Sequence, residues 1–308
     1  MRIESPDSGE KPGISALRRE SRHSSAKVWS AGAGLGLFLL SFGSAFAQQA
    51  PGDGHAAPGQ IGMQLANSPI AEEIHFFHNA ILMPIITVIC LFVLALLIYV
   101  VAKFNENANP NPSRTTHHTL LEVAWTILPV MILVFIAVPS FRLLGHQLII
   151  PQADVTIKVT GNQWYWSYAY PKDQGGGFGF DSLMKPEDQI DASKGDIRLL
   201  TVDNEAVVPV GKKIRVQVTA SDVIHSFTIP AFGIRIDAVP GRLNESWIRI
   251  DKPGNYYGQC SQLCGINHGF MPIEIHAVSK DEFAAWVVEN QHKQSSLATG
   301  VRVADASK

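Results

Sequence analysis

The residues with the most chemistry in this sequence share one short segment, Cys260-Ser-Gln-Leu-Cys264-Gly-Ile-Asn-His268-Gly-Phe-Met271-Pro272, with His225 at a strand end upstream. The chain has three cysteines, and Cys90 falls inside a long apolar run where packing accounts for it. The other two require one explanation together. In an oxidising compartment a close cysteine pair reads first as a disulfide. A disulfide needs neither the histidine that follows Cys264 nor Met271 beyond it. Zinc would accept two cysteines and two histidines as a tetrahedral set, but it gives no reason for the methionine. Thiolate, imidazole and thioether together are the soft donors that select copper. One cysteine with two histidines and a methionine would make a mononuclear blue-copper site. Two thiolates can bridge two metals, so that each copper has both sulfurs and one histidine, with Met271 and a backbone carbonyl as weak ligands. Sharing an electron over such a pair changes geometry little and leaves no open position for substrate, which suits electron transfer.

The elements that must position this segment follow from composition and pattern. Of 308 residues, 46% are hydrophobic and 17% charged, which places part of the chain in lipid. The net charge of -2 excludes a strongly basic nucleic-acid binder, and no nucleic-acid partner is expected. Between His78 and Lys103 the sequence is uncharged, long enough at about 1.5 Å per residue to cross a hydrocarbon core of about 30 Å. A second such run, Val123 to Phe141, lies between Glu122 and Arg142. Pro84 and Pro129 are expected to kink these helices. Arg18, Arg19, Arg22 and Lys27 precede an apolar stretch and then Ala45-Phe46-Ala47, so residues 1–47 read as a signal peptide. Residues 48–78 read as a flexible lead-in and 79–145 as a transmembrane hairpin. The loop with Lys103 and Arg114 is expected in the cytoplasm, against Glu72 and Glu73 outside. The chain is therefore expected in the bacterial inner membrane, multi-pass, with everything after Arg142 in the periplasm.

Beyond residue 150 apolar residues alternate in short runs: Val155 to Val159, Ile197 to Leu199, Ile214 to Val218 and Trp247 to Ile250. Period two predicts half-buried strands, and the Gly/Pro turns between them favour a sandwich or small barrel over 150–280. Ser279-Lys-Asp-Glu282 reads as a capping box opening a short helix through Trp286, so 281–308 are expected as a short helix and a disordered tail from about Gln294.

At the metal segment the sequence resembles subunit II of haem-copper cytochrome c oxidase of the bacterial aa3 type, whose CuA segment runs Cys-Ser-Glu-x-Cys-Gly-x-Asn-His-x-Phe-Met-Pro. The resemblance extends to Leu120-Leu-Glu-Val-Ala-Trp-Thr126, Gly161-Asn-Gln-Trp-Tyr-Trp-Ser-Tyr168, Val202-Asp-Asn204 and Asp237-Ala-Val-Pro-Gly-Arg-Leu-Asn244. It implies a two-helix transmembrane hairpin followed by an all-β cupredoxin-like Greek-key barrel. It also implies that His225 and His268 each ligate one copper, that Cys260 and Cys264 bridge both, and that Met271 and the Gln262 carbonyl bind weakly. Gln262 departs from the family's usual Glu, whose side chain reaches a magnesium ion shared with subunit I; an amide oxygen can coordinate a hard cation but brings no charge.

Further roles follow from the same resemblance. Trp164 matches the electron-entry residue near the docking face for cytochrome c, although residue type alone favours an ordinary packed aromatic, the reading kept for Trp166. Asp181, Asp203 and Asp222 are the candidate docking acids, while Ala169 and Ser221 stand where related chains often carry acids. Glu122 matches the entrance of a proton path into subunit I, although the helix dipole alone accounts for a carboxylate there. Asp237 and Arg242 match residues at the subunit I interface, with a structural ion pair as the alternative. The implied partners are cytochrome c, subunits I and III, and the bilayer. Electrons would pass from cytochrome c through the copper pair to haem in subunit I, where O2 is reduced to water with proton pumping. This chain has no Cys-x-x-Cys-His and no set of membrane histidines, so haem belongs to the partner subunit. Three rivals fit less well. A quinol-oxidase subunit II lacks the metal ligands, a tethered copper carrier or store would not need the Trp164 motif, and a nitrous-oxide reductase domain lacks the two-helix anchor.

Overall fold

In lipid a backbone can satisfy its polar groups within one segment only by forming a helix, and both uncharged runs do so. The computed structural model describes residues 54–173 and 176–305, so the signal peptide expected over 1–47 lies outside the described residues. Helix α1 (Pro69–Phe76) passes through a π-helical turn (Phe77–Leu82) into α2 (Met83–Lys103). The wider turn ends as the Met83 N–H donates to the His78 carbonyl, directly before Pro84, which has no N–H of its own to continue the ladder. Helix α3 (Thr119–Leu148) contains Pro129 and Pro139. The two spans, Pro69–Lys103 and Thr119–Leu148, are 35 and 30 residues long. The hydrophobic window of each has no residue buried within the chain, so these faces are left for lipid or other subunits.

The lead-in expected to be flexible over 48–78 is in part fastened down. Asn67 donates its N–H to the Ala231 carbonyl at 2.8 Å, and the Ser68 hydroxyl donates to the Phe232 carbonyl at 2.7 Å. Ser68 also accepts from the Ala71 N–H at 3.0 Å, which makes it the N-cap of α1. Residues 69–78 are thus helical, and the cap is buried against the β domain. At the other end of the hairpin α3 outruns the apolar stretch. His146, in its last turn, accepts a bond from the Trp247 indole through its carbonyl at 2.9 Å and pairs with Glu73 at 2.8 Å.

Among the described residues the β domain has ten strands in two sheets of five. The first sheet is ordered β3 (Phe178–Ser182), β2 (Tyr165–Tyr170), β1 (Val155–Asn162), β5 (Lys213–Ala220), β8 (Asn244–Arg249). The second is ordered β4 (Ala206–Pro209), β10 (Pro272–Val278), β9 (Gly254–Cys260), β6 (His225–Ile229), β7 (Ile234–Ala238). Strands β1 with β5 and β10 with β4 run parallel, and the other pairs are antiparallel. Ile157, Val159, Ile214, Val216 and Val218 of one sheet and Phe227, Ile229, Ile273 and Ile275 of the other are all 0% exposed. Each such side chain contributes about 1.5–3 kcal/mol by leaving water. The two apolar helices and the β sandwich carry the expected fold class.

Two local expectations were overturned. Ile197 to Leu199 form no strand: the Ile197 carbonyl accepts from the Leu200 and Thr201 N–H groups at 3.0 Å, closing a turn, and Leu199 takes a φ of 66° that no strand residue adopts. The helix after Ser279 does not stop at Trp286 but runs as α4 (Lys280–Asp305). Polar residues past Trp286 give the reason. Gln291 donates to the Gly176 carbonyl at 2.6 Å, Gln294 accepts from the Gly179 N–H at 3.2 Å, and Lys293 pairs with Glu289 at 2.8 Å. Trp286 anchors the helix, with its ring 5.1 Å from Tyr170 and 5.2 Å from Phe178. Replacing Trp286 with Ala should therefore destabilise the β domain by about 2–4 kcal/mol. Thermal unfolding of the domain checks this, and an unchanged midpoint would show α4 to be passive.

Candidate metal centre

Three neighbouring strands bring the metal segment and His225 together. In the β9 and β10 pair Gln259 stands opposite Pro272, so the loop between them is closed at its neck beside Cys260 and Met271. On the other side of β9, Cys260 stands opposite Phe227 of β6, and the Ser261 N–H donates to the Ser226 carbonyl at 3.1 Å. His225, the first residue of β6, thereby reaches the loop. A short 3-10 turn, His268–Phe270, returns the chain toward Met271.

The donor atoms converge. The two thiol sulfurs are 3.9 Å apart, too far for a disulfide bond of about 2.05 Å. Nδ1 of His225 lies 4.0 Å from the Cys260 sulfur, and Nδ1 of His268 lies 3.5 Å from the Cys264 sulfur. The Met271 sulfur is 3.6 Å from that of Cys264, and the Gln262 carbonyl is 3.3 Å from that of Cys260. His225, Cys260, Cys264 and Met271 are buried, His268 is half-buried, and the Gln262 side chain faces solvent. Two soft sulfurs, each with its own imidazole and one weaker donor, fit copper in kind. Cys90 sits on α2, apart from this group.

Residues behind the donors hold them in place. Nε2 of His225 is 2.9 Å from Asp222 Oδ1, which leaves Nδ1 directed at the sulfurs. The same carboxylate accepts from the Val223 N–H at 2.6 Å and, on its other oxygen, from the Gln163 N–H at 2.7 Å. Asp222, expected as a docking acid, is exposed and also bonds inward to the site, a second role that the sequence pattern did not reveal. Gly161 is another residue that pattern alone did not single out. A Cβ there would lie 2.9 Å from the His225 ring, so the strand approaches the ring as only glycine allows. Trp166, read as packing, is fully buried and also donates its indole N–H to the Met271 carbonyl at 3.1 Å.

Trp164 is half-buried beside this shell. Its indole donates to the Cys264 carbonyl at 3.2 Å, a carbonyl that also accepts from the Gln163 amide at 2.8 Å. Gly265, at φ +125°, passes so close that a Cβ would lie 2.9 Å from the Trp164 ring. Asp181 and Asp203 are exposed: Asp181 accepts from the Ser167 hydroxyl at 2.6 Å and Asp203 from the Leu183 N–H at 2.7 Å. Asp237 and Arg242 are exposed and form no ion pair among the described residues, so that alternative falls away. Glu122, at the start of α3, accepts from the His118 N–H at 3.2 Å as part of the cap. Leu263 and Ile266, on the metal loop, are 75% and 85% exposed, an apolar surface that alternation could not predict because the loop has no regular period.

The family described as cytochrome c oxidase subunit II, periplasmic domain, matches residues 155–278, and the one described as its transmembrane domain matches residues 56–143. Among curated relatives, a probable cytochrome c oxidase subunit 2 of Rickettsia bellii is 54% identical over 230 residues, covering 75% of this chain and 84% of the relative. The chain belongs to the cytochrome c oxidase subunit II family. The subunit 2 of Cereibacter sphaeroides is 44% identical over 279 residues, 86% of this chain and 92% of its own. The periplasmic domain of subunit II of cytochrome oxidase from Bradyrhizobium japonicum is 59% identical and aligns over 47% of this chain and 99% of its own, with a TM-score of 0.43. Subunit II works within a haem-copper oxidase, whose enzymatic activity resides in the complex, and the family binds copper as CuA.

The metal-free thiols should titrate unequally. Burial pushes the Cys260 thiol up, but the His225 ring and the backbone around Ser226 and Gln262 outweigh it and bring the group well below the usual thiol range. At Cys264 burial and the charge of Cys260 both push up. Followed by thiolate absorbance, the metal-free protein should therefore ionise one of the pair at a pH well below the free-cysteine value of about 8.5 and the other well above it. Two equal steps near the free value would contradict the geometry.

Proposed function

We propose that this chain is the electron-accepting subunit of its oxidase, with a dinuclear copper site held by His225, Cys260, Cys264 and His268, with Met271 and the Gln262 carbonyl as weak ligands. The observation that carries this reading is the pairing of donors, two sulfurs 3.9 Å apart with a separate imidazole turned to each. Bound there, the copper pair supplies a one-electron relay between cytochrome c and haem in subunit I, where O2 is reduced to water with proton pumping. The residues of this chain do the rest. Burial of His225, Cys260, Cys264 and Met271 keeps water from the donors, and fixed positions limit rearrangement when the charge changes.

Cytochrome c docks beside Trp164, whose N–H bond to the Cys264 carbonyl connects the surface to a ligand backbone. Asp181 and Asp203 present carboxylates to lysines of the donor. Asp222 acts on docking only through the charge its inward bonds leave exposed, and chiefly positions His225. The apolar tips Leu263 and Ile266, with Asp237 and Arg242, form the face toward subunit I. Gln262 reaches the same face with an uncharged amide, a weaker magnesium ligand than a carboxylate. Glu122 stands at the cytoplasmic end of α3, and its second carboxylate oxygen has no partner among the described residues, which leaves it free to admit protons toward subunit I. The bacterial inner membrane holds the hairpin, with the β domain in the periplasm and subunit III completing the complex.

Electron paramagnetic resonance on the copper-loaded β domain tests the site. The expected hyperfine pattern is that of one electron shared by two copper nuclei; the pattern of a single nucleus would exclude the dinuclear reading.

For electron entry, Trp164→Phe should leave copper content intact and slow reduction by cytochrome c by about tenfold or more, equivalent to roughly 1.4 kcal/mol on the barrier. Stopped-flow rates equal to wild type would remove Trp164 from the route.

A further inference from the structure

A cavity of about 450 Å³ lies between α1 with its π-helical turn and the last turns of α3. Its walls are of two kinds. Phe76, Phe77 and Leu143 make an apolar lining, and Glu72, Glu73, Arg142 and His146 make a charged rim. Glu73 and His146 bond each other across the two helices at 2.8 Å. That leaves one anion, Glu72, and one cation, Arg142, with no ion pair to each other or to another side chain among the described residues. Their height follows from the sequence. Arg142 is the first charge after the uncharged run from Val123 to Phe141, and Glu73 is the last before the run that ends at Lys103. Both therefore stand where the spans leave hydrocarbon, on the side that carries the β domain.

An occupant must satisfy all of this at once. It needs an acyl body for the apolar lining, an anion for Arg142 and a cation for Glu72. A guanidinium fork fits phosphate oxygens in geometry as well as charge. An anionic headgroup would meet the carboxylates of Glu72 and Glu73 without a charge to offer them. A bare hydrocarbon chain would leave Arg142 unpaired at the edge of the membrane, at a cost. We infer that this cavity seats a zwitterionic glycerophospholipid, with its phosphate on Arg142, its ammonium on Glu72 and its acyl chains descending past Phe77 and Leu143. The assignment is independent of the metal centre.

The test uses the assembled oxidase, exchanged into lipid nanodiscs that contain phosphatidylethanolamine and phosphatidylglycerol in equal amounts. After extraction into mild detergent, native mass spectrometry counts the lipids that remain bound, and copper and haem spectra confirm assembly. Wild type should retain phosphatidylethanolamine in preference to phosphatidylglycerol. Arg142→Leu should lower that retention about tenfold or more, the effect of losing a charge-assisted phosphate contact, and Arg142→Lys should restore part of it. Glu72→Gln should keep a lipid but shift the preference toward phosphatidylglycerol. Equal retention by Arg142→Leu, or an unchanged preference in Glu72→Gln, would overturn the inference. If Arg142→Leu does not assemble, the Glu72→Gln preference decides alone.

Discussion

Two thiol sulfurs 3.9 Å apart, each with an imidazole nitrogen turned toward it, are a demanding arrangement for a loop that begins and ends within a dozen residues. Ordering each residue of such a loop costs about 1–2 kcal/mol of backbone entropy, which the loop's few internal contacts would not repay. The central strands of the second sheet meet that cost. Cys260 is fixed opposite Phe227, and Pro272 is fixed opposite Gln259, so sheet pairing sets both ends of the loop. A slip of one residue between β9 and β6 would turn Cys260 to the opposite face and remove it from His225. The burial that prevents such a slip is that of Phe227, Ile229, Ile273 and Ile275, all with 0% exposure. The sandwich core thus specifies the geometry of the donor cluster from residues outside that cluster.

The donor set was legible in the sequence because its chemistry is unusual: no common structural role calls for cysteine, histidine and methionine at that spacing. The spans were legible because absence of charge over such lengths has few other uses. Strands β1 and β5 followed from period two. The pattern failed where local bonds override it, as at Ile197 to Leu199, where three residues with strand-like alternation are held in a turn by the Ile197 carbonyl. It failed again at α4, whose later turns are tied to Gly176 and Gly179, more than a hundred residues away in sequence. Asp222 shows a limit at the site, because a lone aspartate in a turn has no signature that reveals a bond from its carboxylate to a neighbouring histidine.

The surfaces divide by what covers them. The β domain has a closed core of its own, yet Leu263 and Ile266 project from the metal loop at 75% and 85% exposure. The apolar windows of both spans are left wholly uncovered by the chain itself. Apolar surface in water is unfavourable by about 25 cal/mol per Å², so exposure on the loop as well as on the spans marks a component that completes its burial in an assembly. Membership of the subunit II family gives these surfaces their natural covering, lipid and neighbouring subunits.

One carboxylate ties two elements of the donor region together. Asp222 receives the Gln163 N–H from the turn between β1 and β2 and the ring of His225 from the start of β6. The first bond holds the residue next to Trp164; the second sets which nitrogen of His225 faces the sulfurs. A charge at this place would be costly if unpaired, but three donors compensate it, and burial, the largest influence on its carboxyl, is outweighed so that the group is held below the usual carboxylate range. It therefore stays ionised across the neutral range, and the turn that carries Trp164 and the ring of His225 are anchored to the same group. A change in the position of Asp222 must move both, which makes the Trp164 turn and the His225 side of the donor cluster one mechanical unit.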